Sequence, residues 1–220
     1  GIDAAKITEY ITNNREKYIN LLESLELSTK IGGWIETLNP NEAWFNIAHI
    51  ENTDITDSNQ LTKAEIKGRE KVQKILNLFT NAIPGFEKGY LIDTNSQIGG
   101  RDSRRIKGLY KFTSEDYTKE FEDSIARTPE FTGTARGYAQ IPYRCLITRN
   151  GKNIIWAGRS ISVEHNVFDV FRSIPCCIAT GQAAGIAAAI ASQNKDPYMG
   201  YVSEIDVKML QDILLDQKAL

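Results

Sequence analysis

The segment that decides the fold spans residues 154–191 and reads IIWAGRSISVEHNVFDVFRSIPCCIATGQAAGIAAAIA. It begins with an apolar strand that ends in Ala157-Gly158-Arg159, and it closes with a small-residue helix that we expect to open at Gly181-Gln182-Ala183-Ala184-Gly185. A glycine at a strand end lets a ligand approach the main chain, and a helix N-terminus presents free N–H groups. The pattern predicts backbone that binds a bulky anion, although the same small residues would also let the helix pack closely against a neighbour.

Composition and charge are typical of a globular protein with local binding sites. The chain has 220 residues, 41% hydrophobic and 25% charged, which suffices for one large or two small domains. The 26 Lys and Arg residues balance 28 Asp and Glu residues, so no broad basic field would attract nucleic acid or anionic lipid. The apolar run at 178–191 is shorter than a membrane span, and no targeting segment is visible. We therefore expect a cytoplasmic protein without a nucleic-acid or membrane partner.

Hydrophobic periodicity and turn residues divide the rest of the chain into helices and short strands. The third block, residues 99–138, carries an arginine cluster and a crossing loop, and it would end one unit and start the next. Cys145, Cys176 and Cys177 are too few and too close for a disulfide framework, so we interpret them as buried thiols. The predicted helices are 3–25, with Asp3 as its N-cap, 62–82, 114–126, 181–193 and 206–215. The predicted strands lie within 27–50 and at 90–93, 140–147 and 152–156.

Chemically useful side chains concentrate in two places. Arg101, Arg104 and Arg105 lie within five residues, and their planar guanidinium groups match a carboxylate or phosphate. The alternative is a solvated or ion-paired face in which Asp102 is one partner. His165 could exchange a proton near neutral pH, although a structural loop histidine fits the same position.

Five segments then combine into one ordered pattern: PGFE at 84–87, GRDSRRIKG at 100–108, IPYRCL at 141–146, AGRSIS at 157–162 and GQAAG at 181–185. In this order they resemble the bacterial FAD-dependent oxidoreductases with a glutathione-reductase-type FAD fold. The resemblance runs from about residue 53 to residue 217. Asp102 stands where that family usually has Glu, and Ser160 and Cys176 where it often has Cys and Thr; these exchanges keep size and polarity.

The resemblance implies a fold and a set of site residues. The implied fold is α/β, with α+β character in the substrate-side part, and belongs to a Rossmann-type flavoprotein with a mixed sheet flanked by helices. It implies a substrate-side cap domain over residues 1–139 and a segment over residues 140–220 that returns to the FAD-binding domain. The implied catalytic residues are His165 and Arg172, the substrate-binding residues Arg101, Arg104, Arg105 and Arg144, and the cofactor-binding residues Gly158, Arg159, Ser160, Gly181, Gln182, Ala183, Ala184 and Gly185.

The dinucleotide fingerprint of such flavoproteins is missing. A strand followed by G-x-G-x-x-G carries the FAD pyrophosphate, and no such sequence occurs in the 220 residues. We therefore expect the C-terminal part of a flavoprotein, with the N-terminal FAD-binding half as its partner, inactive by itself and binding FAD weakly or not at all. The implied function is hydride transfer between a small organic substrate and flavin; the alternative is a non-catalytic fragment or an anion-binding scaffold.

Overall fold

The computed structural model describes residues 1–27, 34–129, 137–193 and 200–220. The chain divides into two compact units, Gly1–Gly100 and Arg101–Leu220. Each unit has a hydrophobic core of its own. Part of the predicted strand region, residues 28–33, and most of the predicted crossing loop, residues 130–136, lie outside the described residues.

The first unit packs three helices around an aromatic and aliphatic core. Asp3 caps the first helix by accepting a hydrogen bond from the Lys6 amide, as the sequence predicts, and Asp57 caps the third helix. The core includes Ile7, Leu22 and Phe79. The predicted helix over residues 3–25 is interrupted at Asn14, and residues 90–93 form no strand. The elements are α1 (Ala4–Asn13), α2 (Arg15–Ser24), β1 (Trp34–Glu36), β2 (Ala43–Phe45, antiparallel to β1) and α3 (Ser58–Ala82).

The second unit places an antiparallel hairpin against a long central helix. That helix buries a row of small residues, Ala183, Ala187 and Ala191, which lets the backbone of the hairpin approach closely. The last helix begins after Asp206, which caps it by accepting a hydrogen bond from the Lys208 amide. The elements are β3 (Ser124–Pro129), β4 (Tyr138–Pro142), α4 (Phe168–Phe171), α5 (Ile174–Gln193) and α6 (Val207–Asp216).

Two predictions for this unit are wrong. Residues 114–126 form no α-helix, because the Thr113–Asp116 capping box closes a single 3-10 turn and strand β3 begins at Ser124. The predicted mixed sheet is also not observed: the strands of the described residues pair antiparallel, and the one parallel bridge among them joins Phe112 to Val163. Helices with small sheets are nevertheless compatible with the α/β class. The expected domain boundary after residue 139, which lies within β4, stays a prediction; the compact units divide after Gly100.

Helix α5 differs most from its prediction. It begins at Ile174, so Gly181 lies in its interior rather than at its start. Pro175 sits in the first turn, where its missing N–H costs no helical hydrogen bond. With 20 residues, α5 is also long and apolar enough to cross a membrane by length and composition alone. The expectation that the chain has no membrane partner stays a prediction. The argument that the apolar run at 178–191 is too short for a membrane span is wrong, because the helix that contains it is longer than that run.

Candidate functional site

Three segments that the sequence singles out meet in the second unit. The Ile106 amide donates to the Ser160 carbonyl at 3.0 Å, which lays the arginine segment beside the Gly158–Ser160 turn. The Gly158 amide donates to the Thr180 hydroxyl at 3.1 Å and so attaches this turn to α5. His165 Nδ1 lies 2.9 Å from Asp102 Oδ2. We call residues 101–106, 158–165 and 174–181 the candidate site.

Close packing of the backbone around the Gly158–Ser160 turn explains why residues 108 and 158 are glycines. Gly158 has a φ of +61°, a left-handed conformation that side-chain-bearing residues rarely adopt. At Gly108, a Cβ atom would lie 2.6 Å from the Cβ of Ser162 and 3.0 Å from the Tyr110 carbonyl oxygen. This spacing allows no side chain, because the strand-like segment after the arginines runs directly against residues 160–162. The glycines therefore bring the arginine segment and the turn together.

Asp102 joins two of the predicted site residues. Its Oδ2 lies within hydrogen-bonding distance of His165 Nδ1 and pairs with Arg105 Nη2 at 3.3 Å. The Arg105 guanidinium carbon lies 4.8 Å from the centroid of the buried Phe168 ring, a cation–π contact. The ion-paired interpretation of the arginine segment is thus confirmed for Arg105. No local sequence pattern indicates the contact between Asp102 and His165, because 63 residues separate them in the sequence.

The cluster also holds polar atoms without partners. Asp102 Oδ1 and Arg105 Nη1 are buried and make no hydrogen bond to any described residue. Buried polar atoms are nearly always hydrogen-bonded in folded proteins, to protein, to water or to a ligand. A donor and an acceptor left over in one cluster fit a place where a polar ligand binds.

The other predicted arginines differ in how free their guanidinium groups are. Arg104 is exposed and forms no hydrogen bond or ion pair with the part of the chain that the structure describes. Arg144 instead binds Asp123 through both Nε (2.9 Å) and Nη2 (3.1 Å), a bond that raises the pKa of the guanidinium. Arg172 pairs with Asp169 at 2.8 Å. A substrate role for Arg144 or a catalytic role for Arg172 stays a prediction and would require these ion pairs to open.

The five residues at 181–185 face different surroundings. Ala183 and Ala184 are buried in the core, and Gln182 Nε2 donates to Gln217 Oε1 at 2.8 Å. Gly181 and Gly185 are exposed, and a Cβ atom at either position would meet no atom within 4 Å. The expectation that a helix start here presents free N–H groups is wrong, because these residues lie in the interior of α5, where amides bond to carbonyls one turn earlier. Only the two glycines offer open backbone surface.

The cysteines are structural rather than activated. Cys145 and Cys176 are buried thiols, as expected, and burial raises the pKa of both to about 12. Cys177 is partly exposed; burial raises its pKa and the positive charge of Arg159 partly offsets that effect. In the described ranges, no group of three or more His, Cys, Asp or Glu side chains could hold a metal ion.

Comparison with known proteins identifies the family. Curated proteins and solved structures give no significant match. The family model described as FAD dependent oxidoreductase matches residues 3–214, nearly the whole chain. The chain therefore belongs to the FAD-dependent oxidoreductase family, and its chemistry is flavin-linked oxidation and reduction.

Proposed function

We propose that this chain is the C-terminal part of a bacterial flavoprotein of the glutathione-reductase type, which transfers a hydride between a small organic substrate and FAD. The observation that supports this best is the convergence of the arginine segment, the Gly158–Ser160 turn and α5 in the second unit, since these are the segments that carry the resemblance. When bound, FAD supplies the group that accepts or donates the hydride. The residues of this chain bind, orient and exchange protons.

The residues present fit one wall of a flavin site. Gly181 and Gly185 leave one stripe of α5 without side chains, so a planar ring could lie against the helix. Gly158, Arg159 and Ser160 form the adjoining turn, where the Arg159 side chain could pair with a phosphate. The pyrophosphate end has no counterpart in the chain, because the G-x-G-x-x-G sequence is missing. We infer that this chain alone binds FAD weakly or not at all.

An exposed apolar stripe supports a protein partner that completes this site. On α5, Ile174 and Ile178 are 76% and 65% exposed and lie one turn apart on the same stripe as the two glycines. Large apolar side chains clustered at the surface are typical of contact surfaces. The partner that we propose is the N-terminal FAD-binding half of the same protein. Because the opposite face of α5 packs into the core, we interpret α5 as a core helix rather than a membrane span. We also propose that the protein is cytoplasmic.

Arg104 is the best candidate for binding the substrate. Its side chain is exposed and unpaired among the described residues, whereas Arg105 is held by Asp102. A free guanidinium two residues from Asp102, the carboxylate that contacts His165, suits a small substrate that carries a carboxylate or phosphate. In the flavin-containing protein, we expect Arg104→Ala to raise KM with little change in kcat. Lys107→Ala, which removes another exposed cation of the same segment, is the matched control.

The reading frame and the colour of the protein test the proposal. Translation of the DNA upstream of Gly1 should show a strand followed by G-x-G-x-x-G, and the protein that this frame encodes should be yellow and bleach on reduction. A stop codon directly upstream, together with a colourless protein, would refute the proposal. It would favour a non-catalytic anion-binding scaffold, the function that the missing fingerprint supports as the second candidate.

A further inference from the structure

We propose that Asp102 is a positioning residue that keeps the His165 imidazole protonated at Nδ1, so that Nε2 accepts a proton from the substrate. The inference rests on the proposed function, because a proton acceptor needs a substrate that is oxidised beside it. It assigns a role to Asp102, and it assigns different roles to the two ring nitrogens of His165.

The Asp102 carboxylate is anchored by Arg105, which pairs with Oδ2, the same oxygen that faces His165. Its side chain is 25% exposed, and the Arg105 side chain that pairs with it at 3.3 Å is 20% exposed. Arg105 in turn rests on the ring of Phe168, which is buried in the core of the second unit. A guanidinium held between a carboxylate and an aromatic ring has little freedom to leave. The carboxylate is therefore a fixed acceptor.

The hydrogen bond to this acceptor decides which tautomer His165 adopts. An ionised carboxylate can only accept, so in the 2.9 Å contact the hydrogen must sit on Nδ1. In a neutral imidazole the other nitrogen then carries a lone pair. The His165 side chain is 82% exposed, which leaves Nε2 open to a molecule at the candidate site. The nearest charge along the chain, Glu164, pairs with Lys111 at 3.5 Å.

This arrangement suits the oxidation of an alcohol. As the C–OH carbon becomes a carbonyl, the C–H bond breaks and its electron pair leaves as hydride to the FAD that the family uses. The O–H bond breaks at the same time, and its proton moves to Nε2 of His165. Atoms and charges balance, because the substrate loses one hydride and one proton. Asp102 stabilises the imidazolium that results, through the same Nδ1–H bond.

The tautomer can be measured directly by long-range ¹H–¹⁵N NMR of the imidazole rings. The chain has two histidines, and His49, in the first unit, serves as the internal reference. We expect neutral His165 to carry its proton mainly on Nδ1. Asp102→Asn should shift the tautomer ratio toward Nε2–H by about two- to fivefold, the range for a partly exposed charged hydrogen bond. Glu164→Gln, with the same change of charge next to His165, should leave the ratio unchanged.

The controls separate positioning from folding. Asp102→Glu keeps the carboxylate and should restore the ratio toward that of the wild type. If Asp102→Asn fails to fold, the wild-type spectrum still decides, because a predominance of the Nε2–H tautomer would overturn the proposal. An equal ratio in the wild type and in a folded Asp102→Asn variant would overturn it as well.

Activity assays distinguish failure of this inference from failure of the proposed function. The NMR measurement needs neither flavin nor substrate. In the flavin-containing protein, Asp102→Asn should lower kcat for an alcohol substrate with little change in KM, and Asp102→Glu should recover part of it. Unchanged kcat in both Asp102→Asn and His165→Gln would refute the acceptor role while leaving flavin chemistry intact. A protein without flavin would instead refute the proposed function.

Discussion

The buried carboxylate of Asp116 is expected to stabilise the second unit more than any exposed acidic group near it. It is fully buried and accepts four hydrogen bonds, from the Tyr110 hydroxyl (2.7 Å), the Thr113 amide (2.8 Å), the Thr113 hydroxyl (3.3 Å) and the Lys119 ammonium (2.6 Å). Arg144 lies over the ring of Tyr110, with its guanidinium carbon 5.1 Å from the ring centroid. Asp116 thus holds both the turn at 114–116 and the aromatic residue beneath Arg144.

The Asp116→Asn variant keeps the size of the side chain and removes its charge. One of its two oxygens becomes an NH2 donor and faces a group that itself donates, so at least one hydrogen bond is lost. A hydrogen bond to a buried charge contributes about 1.5–3 kcal/mol, while the Lys119 bond contributes less because that side chain is half exposed. We therefore expect the free energy of unfolding to fall by about 2–4 kcal/mol.

The pH dependence follows from the pKa of this carboxyl. Burial raises the pKa of Asp116, but the bonds from Lys119, Thr113 and Tyr110 lower it more, so the folded pKa lies below the ordinary value. A depressed pKa means that the carboxylate stabilises the fold above the unfolded pKa of about 4. That stabilisation is lost as the pH falls through the folded pKa. The difference between the wild type and Asp116→Asn should therefore shrink below about pH 4.

Urea unfolding at pH 7 and pH 3, followed by fluorescence, tests both expectations. Trp156 is the one tryptophan of the second unit in the sequence and reports on it directly. Glu115→Gln is the matched control, because Glu115 is an exposed acidic residue of the same turn. A loss below about 0.5 kcal/mol in Asp116→Asn, within the range of ordinary surface substitutions, would refute the reasoning. An equal loss in Glu115→Gln would refute it too.

Three further outcomes follow from close contacts, open surface and buried thiols. Gly108→Ala should lower the free energy of unfolding by about 1–3 kcal/mol, because its Cβ would overlap Ser162, and an unchanged urea midpoint would contradict the close approach. Gly181→Ala should instead stabilise the chain by about 0.5–1 kcal/mol, as alanine does inside helices, and should reduce the flavin content of the flavin-containing protein; a stable variant with full flavin content would argue against the glycine stripe. Native protein should expose one thiol, Cys177, to a chromogenic disulfide reagent and three after denaturation, so rapid labelling of Cys145 or Cys176 would contradict their burial.

Local signals in the sequence predict the ends of several elements well. Asp3 caps α1 as expected, because a carboxylate before an apolar helical pattern satisfies free amides at the helix start, and α6 begins within one residue of its predicted start. The segment at 114–126 is different. Its apolar residues fit a helix, but Ile125 and Ala126 gain complete burial as part of a strand against α5. Packing between distant segments overrides the local preference there.

In the candidate site too, the sequence predicts what depends on local residue types and misses what depends on contacts between distant segments. The sequence identifies Arg105 and His165 by residue type, and it identifies the Gly158 turn by its glycine. It cannot reveal that Asp102 joins the two side chains, since that contact depends on how the backbone of 160–162 runs along the arginine segment. The start of α5 is missed because Pro175 and two cysteines do not resemble a helix N-terminus, although a proline in the first turn is compatible with one.

Flavin binding by this chain, compared with the protein encoded by the whole reading frame, tests the proposed assignment most directly. FAD titration followed by fluorescence or calorimetry would give the affinity and stoichiometry of both. We expect the longer protein to bind one FAD tightly and this chain to bind FAD weakly or not at all, because the phosphate-binding sequence is missing. Tight, stoichiometric FAD binding by this chain alone would contradict that expectation.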